Sequence, residues 1–242
     1  MELPEALSAT TGLTCVVGAG GKKSTLYALA NRLDRAVVTA TVRIPIFDDQ
    51  VAEVVVTDDP VTAVEAATDW PVGVVAERER ADRYAGYEPA TVARLAEAGA
   101  ADAVLVKADG ARTRWLKAPN EREPQLPRNA DTVVPIASAR VVGEPLSEEH
   151  VHRPERVARI TGRELGAPIR ASDVATVLTS DRGGLKDVPP GATVVPLVNM
   201  VDDDDLLAVG EEVAAAIHER VDVPRVVLGR MNAPEPVVAV LD

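Results

Sequence analysis

Cysteine and aromatic residues are scarce in this sequence, which has one cysteine and only 2% Phe, Trp and Tyr. A single cysteine, Cys15, excludes an internal disulfide and a cluster of thiolate metal ligands, and its apolar neighbours predict a small buried side chain. With so few aromatic rings the core must be aliphatic, and the 46% of hydrophobic residues can supply it. The composition is that of a globular protein.

Positive charge and long apolar runs are also in short supply. Acidic residues outnumber basic ones by 38 to 26, for a net charge of −12, which argues against nucleic acid and anionic membranes as partners. No apolar run approaches the roughly 18 residues of a membrane span, and the N-terminus lacks a signal sequence. We therefore expect a soluble, cytoplasmic protein. Its few lysines and many acids are typical of a high-salt, halophilic cytoplasm, or of a GC-rich genome.

The segment after the first apolar run is rich in glycine, lysine and hydroxyl residues. Residues 13–17 predict a buried strand, and residues 24–34 alternate apolar and polar side chains at helical spacing. Strand, glycine-rich turn and helix are the context of a phosphate-binding loop, in which backbone N–H groups and the helix N-terminus surround phosphate oxygens. The nucleotide-binding residues predicted here are Gly18, Ala19, Gly20, Gly21, Lys22, Lys23, Ser24 and Thr25.

This loop departs from the usual G-x-x-x-x-G-K-[ST] pattern, because Gly18 lies only three residues before Gly21 and Lys22 is followed by a second lysine. Two registers are open. Either Lys22 binds phosphate and a following hydroxyl reaches Mg²⁺, or Lys23 and Ser24 form the working pair. The alternative to both is an ordinary glycine-rich turn between a strand and a helix.

Apolar strand patterns alternate with helical ones along the whole chain, which predicts a three-layer α/β fold of the P-loop NTPase type with a mostly parallel sheet. The predicted strands are 36–40, 51–56, 72–76, 103–106, 132–136, 193–198 and 225–228, and the predicted helices are 60–68, 89–98 and 206–219. A polar segment, 77–88, separates the third of these strands from the second helix. We expect one nucleotide-binding domain covering residues 1–242.

Two strand ends carry acidic residues suited to a nucleotide. Asp109 follows strand 103–106, where an aspartate can hold Mg²⁺ beside the phosphate loop, although Asp-Gly is also a common turn. Asn199 and Asp202 follow strand 193–198 and differ by one residue, Met200, from the N-K-x-D motif that reads guanine. The alternative for Asp202 is a turn before an acidic helix N-terminus.

A long polar connector at about 111–128 carries Trp115 and several basic residues. Long loops in compact domains are often functional, and the alternative is a solvated surface loop. Farther on, His150 and His152 lie in a predicted helical insert at about 145–180. At i and i+2 on a helix they would not face each other, so packing is an equal alternative to catalysis or metal binding.

These segments together resemble the YqeC family of selenium-dependent molybdenum hydroxylase accessory proteins. The matching blocks keep their order over residues 13–230 and are Gly18–Lys22, Thr39–Arg43, Ala108–Ala111, Leu116–Pro119, Glu149–Glu155, Gly183–Lys186, Pro189–Gly191 and Asn199–Asp202. The resemblance implies a P-loop nucleotide-binding fold and a role in maturing these hydroxylases or inserting their selenium cofactor. It also implies a molybdenum hydroxylase or a selenium donor protein as partner. Lys107 stands where the family usually has Glu, and Met200 where it has Lys.

We therefore expect an Mg²⁺-dependent protein that binds GTP slightly better than ATP, as an NTPase or a nucleotide-dependent transferase. Lys22 or Lys23 would neutralise the β- and γ-phosphates, and Ser24 and Asp109 would hold the metal. Near the γ-phosphate we expect Thr39, Thr41 and Arg43. The candidates for binding a second substrate or the transferred group are Lys117, His150 and Arg153. The alternatives are a nucleotide-switched chaperone without significant turnover and an ATP-dependent kinase or ligase.

Overall fold

A mostly parallel sheet runs through the centre of the computed structural model, which describes all 242 residues. The strands are β1 (Gly12–Gly18), β2 (Ala36–Ala40), β3 (Ile44–Pro45), β4 (Glu53–Val56), β5 (Val72–Val75), β6 (Glu77–Arg80), β7 (Arg83–Ala85), β8 (Ala103–Lys107), β9 (Leu116–Lys117), β10 (Thr132–Ser138), β11 (Val151–His152), β12 (Thr193–Val194), β13 (Leu197–Asn199), β14 (Val226–Gly229) and β15 (Val237–Leu241). The helices are α1 (Leu3–Ala6), α2 (Lys22–Ala30), α3 (Pro60–Glu65), α4 (Pro89–Glu97), α5 (Pro154–Thr161), α6 (Ala171–Leu178) and α7 (Asp204–His218).

The central sheet has ten strands in the order β15-β14-β13-β10-β1-β8-β2-β5-β4, with β12 paired to β10 beside this path. Only the β14–β15 pair is antiparallel. Two smaller sheets, β3-β7-β6 and β11-β9, lie outside it. The chain fills one side of β1 first, returns beside β1 with β8, and then crosses to the other side with β10. Ligands of open α/β sheets bind at the carboxyl ends of strands where the order reverses in this way.

Helices cover both faces of the sheet, because successive residues of a strand point to opposite sides. In β1, Val16 packs in the core that holds Leu3 of α1 and Leu26 of α2. Its neighbours Cys15 and Val17 pack in a second core with the residues of α3 and α4, and α5, α6 and α7 contribute to a third. The structure therefore confirms a three-layer α/β fold with a mostly parallel sheet.

Proline and aspartate define several helix starts. Pro60, Pro89 and Pro154 occupy the first turn of α3, α4 and α5, where the missing N–H costs nothing. Asp203 caps α7 by accepting a 2.9 Å hydrogen bond from the Leu206 N–H. No helix of the structure combines the length and the apolar character needed to span a membrane.

Some elements differ from the sequence-based expectation. The helix expected at 24–34 begins at Lys22 and ends at Ala30. The strand expected at 193–198 is interrupted before Pro196, which has no N–H for a strand ladder, and continues as β13. The polar segment 77–88 contains the hairpin β6–β7, and the segment predicted as a helical insert, 145–180, contains the two short helices α5 and α6.

Candidate functional site

The glycine-rich loop joins β1 to α2 at the reversal point of the sheet, and its backbone requires glycine. Gly18 and Gly21 have φ angles of 90° and 129°, which residues with a side chain rarely adopt. A Cβ atom at Gly18 would lie 2.3 Å from the Ile136 carbonyl oxygen, and one at Gly21 would lie 2.1 Å from Asn199 Nδ2. Glycine thus lets the loop fold tightly against the ends of β10 and β13.

The first N–H groups of this loop are already used by the protein. Gly18 N–H donates to Asp109 Oδ2 at 3.0 Å, and Ala19 and Gly20 donate to the carbonyl oxygens of Ile136 and Arg114, each at 2.9 Å. The N–H groups that open α2 have no intrahelical acceptor, and no side chain caps this helix end. An anion would therefore meet the N-terminus of α2, at residues 22–24, rather than the whole loop.

Lys22 folds back over the loop into a buried network of charges. Its Nζ donates to the Gly18 carbonyl and lies 2.9 Å from Asp109 Oδ1. Lys117 Nζ lies 2.8 Å from Asp109 Oδ2 and also 2.8 Å from Glu123 Oε2. The Lys22, Asp109 and Lys117 side chains are all at most 5% exposed. Of the two loop lysines, Lys22 is the one inside this network.

The network is unevenly charged, and this imbalance is a property suited to binding an anion. Four basic side chains meet two carboxylates: Lys22, Lys107, Lys117 and Arg153 surround Asp109 and Glu123. Burial raises the pKa of Asp109, but the ammonium groups of Lys22 and Lys117 more than offset this and hold the pKa below its usual range. Glu123 behaves similarly, because Lys117 and Arg153 lower its pKa against the effect of burial.

Lys107, at the end of β8, donates a 2.8 Å hydrogen bond to the Arg43 carbonyl. Burial and the nearby charge of Lys22 lower the pKa of Lys107 to about 7. In the sequence this lysine stands out only as a departure from the family pattern. Its near-neutral pKa means that the charge available to an anion at this site depends on pH around neutrality.

The free energy of unfolding should depend on pH because of the Lys107 amine. Between the folded pKa of Lys107, about 7, and the ordinary lysine value of 10.5, the unfolded chain binds more protons at this amine, so its contribution to stability rises with pH. From pH 7 to 9 the parent should gain about 2 kcal/mol in unfolding free energy relative to Lys107→Met. Urea unfolding of both proteins at the two pH values measures this, and a parallel pH dependence would contradict it.

Asp109 and Ser24 are the residues near the loop whose oxygen atoms suit Mg²⁺. Asp109 Oδ1 is buried and accepts no hydrogen bond of good geometry, although Lys22 Nζ is close to it, so this oxygen could turn to a metal. Ser24 is partly exposed and offers its hydroxyl, whereas Thr25 donates to the Gly21 carbonyl at 3.1 Å. No group of three or more His, Cys, Asp or Glu side chains could hold a metal. These residues fit Mg²⁺ only together with ligand phosphates, which is the usual way Mg²⁺ binds.

Two adjoining cavities extend from the loop toward the ends of β13 and β14. The larger, about 480 Å³, is lined by residues of α2 that include Lys23 and Ser24. The smaller, about 240 Å³, is lined by Asn199 and Asp202. Met231 and Asn232 line both cavities, so the two adjoin one another. Lys23 therefore faces the larger cavity and not the buried network.

The two residues of the predicted guanine site have different surroundings. Asn199 is buried, and its Nδ2 donates to the Gly20 carbonyl at 2.8 Å while its Oδ1 accepts from the Met231 N–H at 3.1 Å. Asp202 is 40% exposed and lies 2.7 Å from Arg140. Asn199 thus holds the loops, and Asp202 is the group of the pair that a base could reach after its ion pair with Arg140 opens.

Several predicted site residues make structural contacts at some distance from the loop. The Thr39 hydroxyl donates to the Val74 carbonyl and that of Thr41 to the Gln125 carbonyl, both at 2.7 Å. The exposed Arg43 guanidinium pairs with Glu79 of β6. The His150 ring stacks on Trp115 at 4.9 Å between centroids. The expected roles of these residues near phosphate or substrate stay predictions.

Glu123 was not among the predicted site residues, and His152 was considered only together with His150; Glu123 belongs to the network, and His152 lies beside it. Glu123 accepts from Lys117 and Arg153, and its other oxygen accepts from the Gly110 N–H at 3.2 Å. His152 pairs in register with Lys117 across β11 and β9. The only sequence signal was their position in the connector and in the histidine segment, since their partners are far away along the chain.

Comparison with known proteins matches the "YqeC protein" family model to residues 14–155, more than half of the chain. A curated protein of Escherichia coli (strain K12), described as "Uncharacterized protein YqeC", is 32% identical over 190 residues. That alignment covers 76% of this chain and 74% of the relative. The matched segment includes the glycine-rich loop, Asp109, the connector and the histidine segment.

Proposed function

This chain belongs to the YqeC family, and we propose that it is an Mg²⁺-dependent, P-loop-type protein that binds nucleoside triphosphates. We further propose that it serves as an accessory factor in maturing selenium-dependent molybdenum hydroxylases or inserting their selenium cofactor. The hydroxylase part extends the family resemblance. The nucleotide part is supported by one observation above all, the surplus of buried positive charge at the glycine-rich loop.

The charge surplus favours a polyphosphate over a neutral ligand. The chain as a whole carries a net charge of −12, yet four basic side chains converge on the loop around two carboxylates. Burial lowers the pKa of Lys22 and of Lys107, and a bound polyphosphate would supply the negative charge that keeps both amines protonated. The uncapped N-terminus of α2 adds N–H donors and a favourable dipole. The adjoining cavities leave room for a nucleoside beside these phosphates.

The smaller cavity favours guanine through Asp202. A carboxylate accepts from the N1–H and N2–H₂ donors of guanine, whereas adenine has no such donors and would leave Asp202 paired with Arg140. A hydrogen bond to a charged group contributes about 1.5–3 kcal/mol, so GTP should compete roughly tenfold better than ATP against a fluorescent nucleotide. Asp202→Asn should erode this preference, and Met200→Lys should not reverse it.

Asp204→Asn is a matched control for this measurement, because Asp204 lies two residues farther on, in the first turn of α7 and outside the cavity lining. It should leave the ratio of the two affinities unchanged. Equal competition by ATP and GTP in the parent would reject the guanine assignment and favour an ATP-dependent kinase or ligase. No competition by either nucleotide would reject the nucleotide-binding proposal as a whole.

Magnesium should bind only with the nucleotide. Because the protein offers just one carboxylate oxygen and one hydroxyl, Mg²⁺ alone should not raise the melting temperature, whereas Mg²⁺ should tighten triphosphate binding. Asp109→Asn should remove this tightening without weakening metal-free binding. Calorimetry with and without EDTA measures both, and thermal unfolding verifies that the variant is folded. Equal stimulation by Mg²⁺ in both proteins would leave Asp109 as a structural residue.

A nucleotide-switched chaperone with little turnover is the second candidate. Both carboxylates near the loop are held by basic side chains, so neither is free to act as a general base. Phosphate release at a substantial, substrate-stimulated rate would favour the enzyme. Association with a molybdenum hydroxylase that depends on nucleotide but proceeds without turnover would favour the chaperone.

A further inference from the structure

A second basic surface lies where the connector meets α5. The carboxylate of Glu123 joins it to the charged network beside the glycine-rich loop. Arg153 Nη1 lies 2.7 Å from Glu123 Oε2, the same oxygen that Lys117 Nζ approaches to 2.8 Å. His152 stands beside Lys117 in the register of β11 and β9. Arg112 is exposed and forms no ion pair. The surface is thus connected to the buried network but faces outward from it.

The guanidinium groups on this surface keep hydrogen-bond donors free. Arg153 uses only Nη1 for Glu123, so Nε and Nη2 have no protein acceptor, and Arg112 uses none of its donors. The imidazole of His152 is neutral at pH 7, because burial and the charges of Arg153, Lys117 and Arg112 lower its pKa to about 4. Arg112 follows Gly110 by two residues, and the Gly110 N–H donates to the Glu123 carboxylate that Arg153 also contacts. The neutral ring of His152 can donate or accept without adding charge.

The backbone presents these arginines in uncommon conformations. Arg112, Thr113 and Arg153 have φ of 49°, 60° and 64°, in the left-handed region that residues other than glycine seldom occupy. Such strained positions cluster at binding and active sites. The neighbouring Arg114 carbonyl accepts from the Gly20 N–H at 2.9 Å, which attaches this part of the connector to the phosphate loop. The segment that carries Arg112 is consequently attached directly to the glycine-rich loop.

We propose that Arg112, His152 and Arg153 form a second anion site, which binds the carboxylate or phosphate group of an acceptor substrate beside the nucleotide. This inference rests on the proposed nucleotide function, and it gives that function the class of its second substrate. Guanidinium groups match carboxylate and phosphate oxygens with paired donors, and a neutral imidazole adds one hydrogen bond. Of the two histidines in the segment, His152 belongs to this site, whereas His150 packs on Trp115.

Arginine modification by phenylglyoxal, followed by mass spectrometry, tests the site at residue level. The protein is first saturated with Mg²⁺ and a non-hydrolysable GTP analogue, so that the phosphate loop is blocked. Inorganic phosphate and acetate are then titrated separately. Protection should slow modification of Arg112 by roughly tenfold, as expected for charge-assisted hydrogen bonds. Arg220, which is exposed beyond α7, should react at an unchanged rate and is the internal control.

Comparing the two anions shows whether the site binds a phosphate group or a carboxylate group. Protection by phosphate alone assigns a phosphate-bearing substrate, protection by acetate alone assigns a carboxylate, and protection by both supports the shared chemistry. His152→Gln should raise the phosphate concentration needed for protection by roughly tenfold, as for loss of one hydrogen bond to a charged group. Equal modification rates with and without either anion would overturn the inference.

Nucleotide affinity distinguishes this inference from the function on which it rests. If the parent itself fails to bind nucleotide, the proposed function fails, and protection of Arg112 without nucleotide then reports on the anion site alone. If nucleotide binds and Arg112 is not protected, only the second site is rejected.

Discussion

Replacing Lys117 with methionine is expected to lower the free energy of unfolding by about 3–5 kcal/mol, the cost of breaking a buried ion pair from one side. The Lys117 side chain is 0% exposed, and its Nζ lies 2.8 Å from a carboxylate oxygen of both Asp109 and Glu123. Methionine keeps most of the volume but leaves two buried carboxylates with less positive charge. Denaturant unfolding at pH 7 measures the loss.

A matched ion pair at the surface supplies the control. Arg156 lies 2.6 Å from Glu121, but that glutamate is 80% exposed. Water screens such a pair, so Arg156→Met should cost much less than Lys117→Met. A similar loss in Arg156→Met and Lys117→Met would contradict the view that burial of the network, and not simply the number of ion pairs, determines its contribution.

Lys22→Ala is expected to weaken binding of Mg²⁺–GTP by roughly a hundredfold, since an ammonium–phosphate hydrogen bond contributes about 1.5–3 kcal/mol. Lys22 begins α2 and already lies within the charged network beside the loop. Lys23→Ala should change the affinity only about threefold, because its side chain lines the outer cavity, where an exposed charge contributes little. Calorimetry on both variants gives the comparison.

This comparison also decides the register that the sequence left open. A larger loss in Lys23→Ala would make Lys23 and Ser24 the working pair, and unchanged affinity in both variants would remove the phosphate-loop assignment. Both variants should remain folded, because Asp109 keeps Lys117 as a partner when Lys22 is truncated. Their melting temperatures verify this.

The layered fold could be predicted from the sequence because each strand–helix unit has its own local pattern. Alternating apolar strands and helices require a parallel sheet covered on both faces, and this holds here. The hairpin β6–β7 could not be predicted in this way, since its strands carry charged residues and no alternating apolar pattern. Its pairing with β3 and the Arg43–Glu79 ion pair are contacts between segments far apart in the chain.

The candidate site likewise has a part that could be predicted from the sequence and a part that could not. The glycine-rich loop is a contiguous segment, so its shape and its lysines were visible in the sequence. The network was not, because Lys117, Glu123 and Arg153 come from the connector and the start of α5 and meet only when the chain folds. Thr39 lies in β2, and its hydroxyl points to the neighbouring strand β5 and not to the loop.

The buried amide of Asn199 connects the glycine-rich loop to the two cavities beside it. It bonds the Gly20 carbonyl with one end and the Met231 N–H with the other, and Met231 lines both cavities. A ligand in a cavity would therefore favour one conformation of the loop. A ligand at the loop would favour one conformation of the residues that line the cavity. Thermodynamic linkage makes these two effects equal in free energy. Under the proposed function, any coupling between a nucleoside and a free polyphosphate would thus be reciprocal, with each changing the affinity for the other by the same factor.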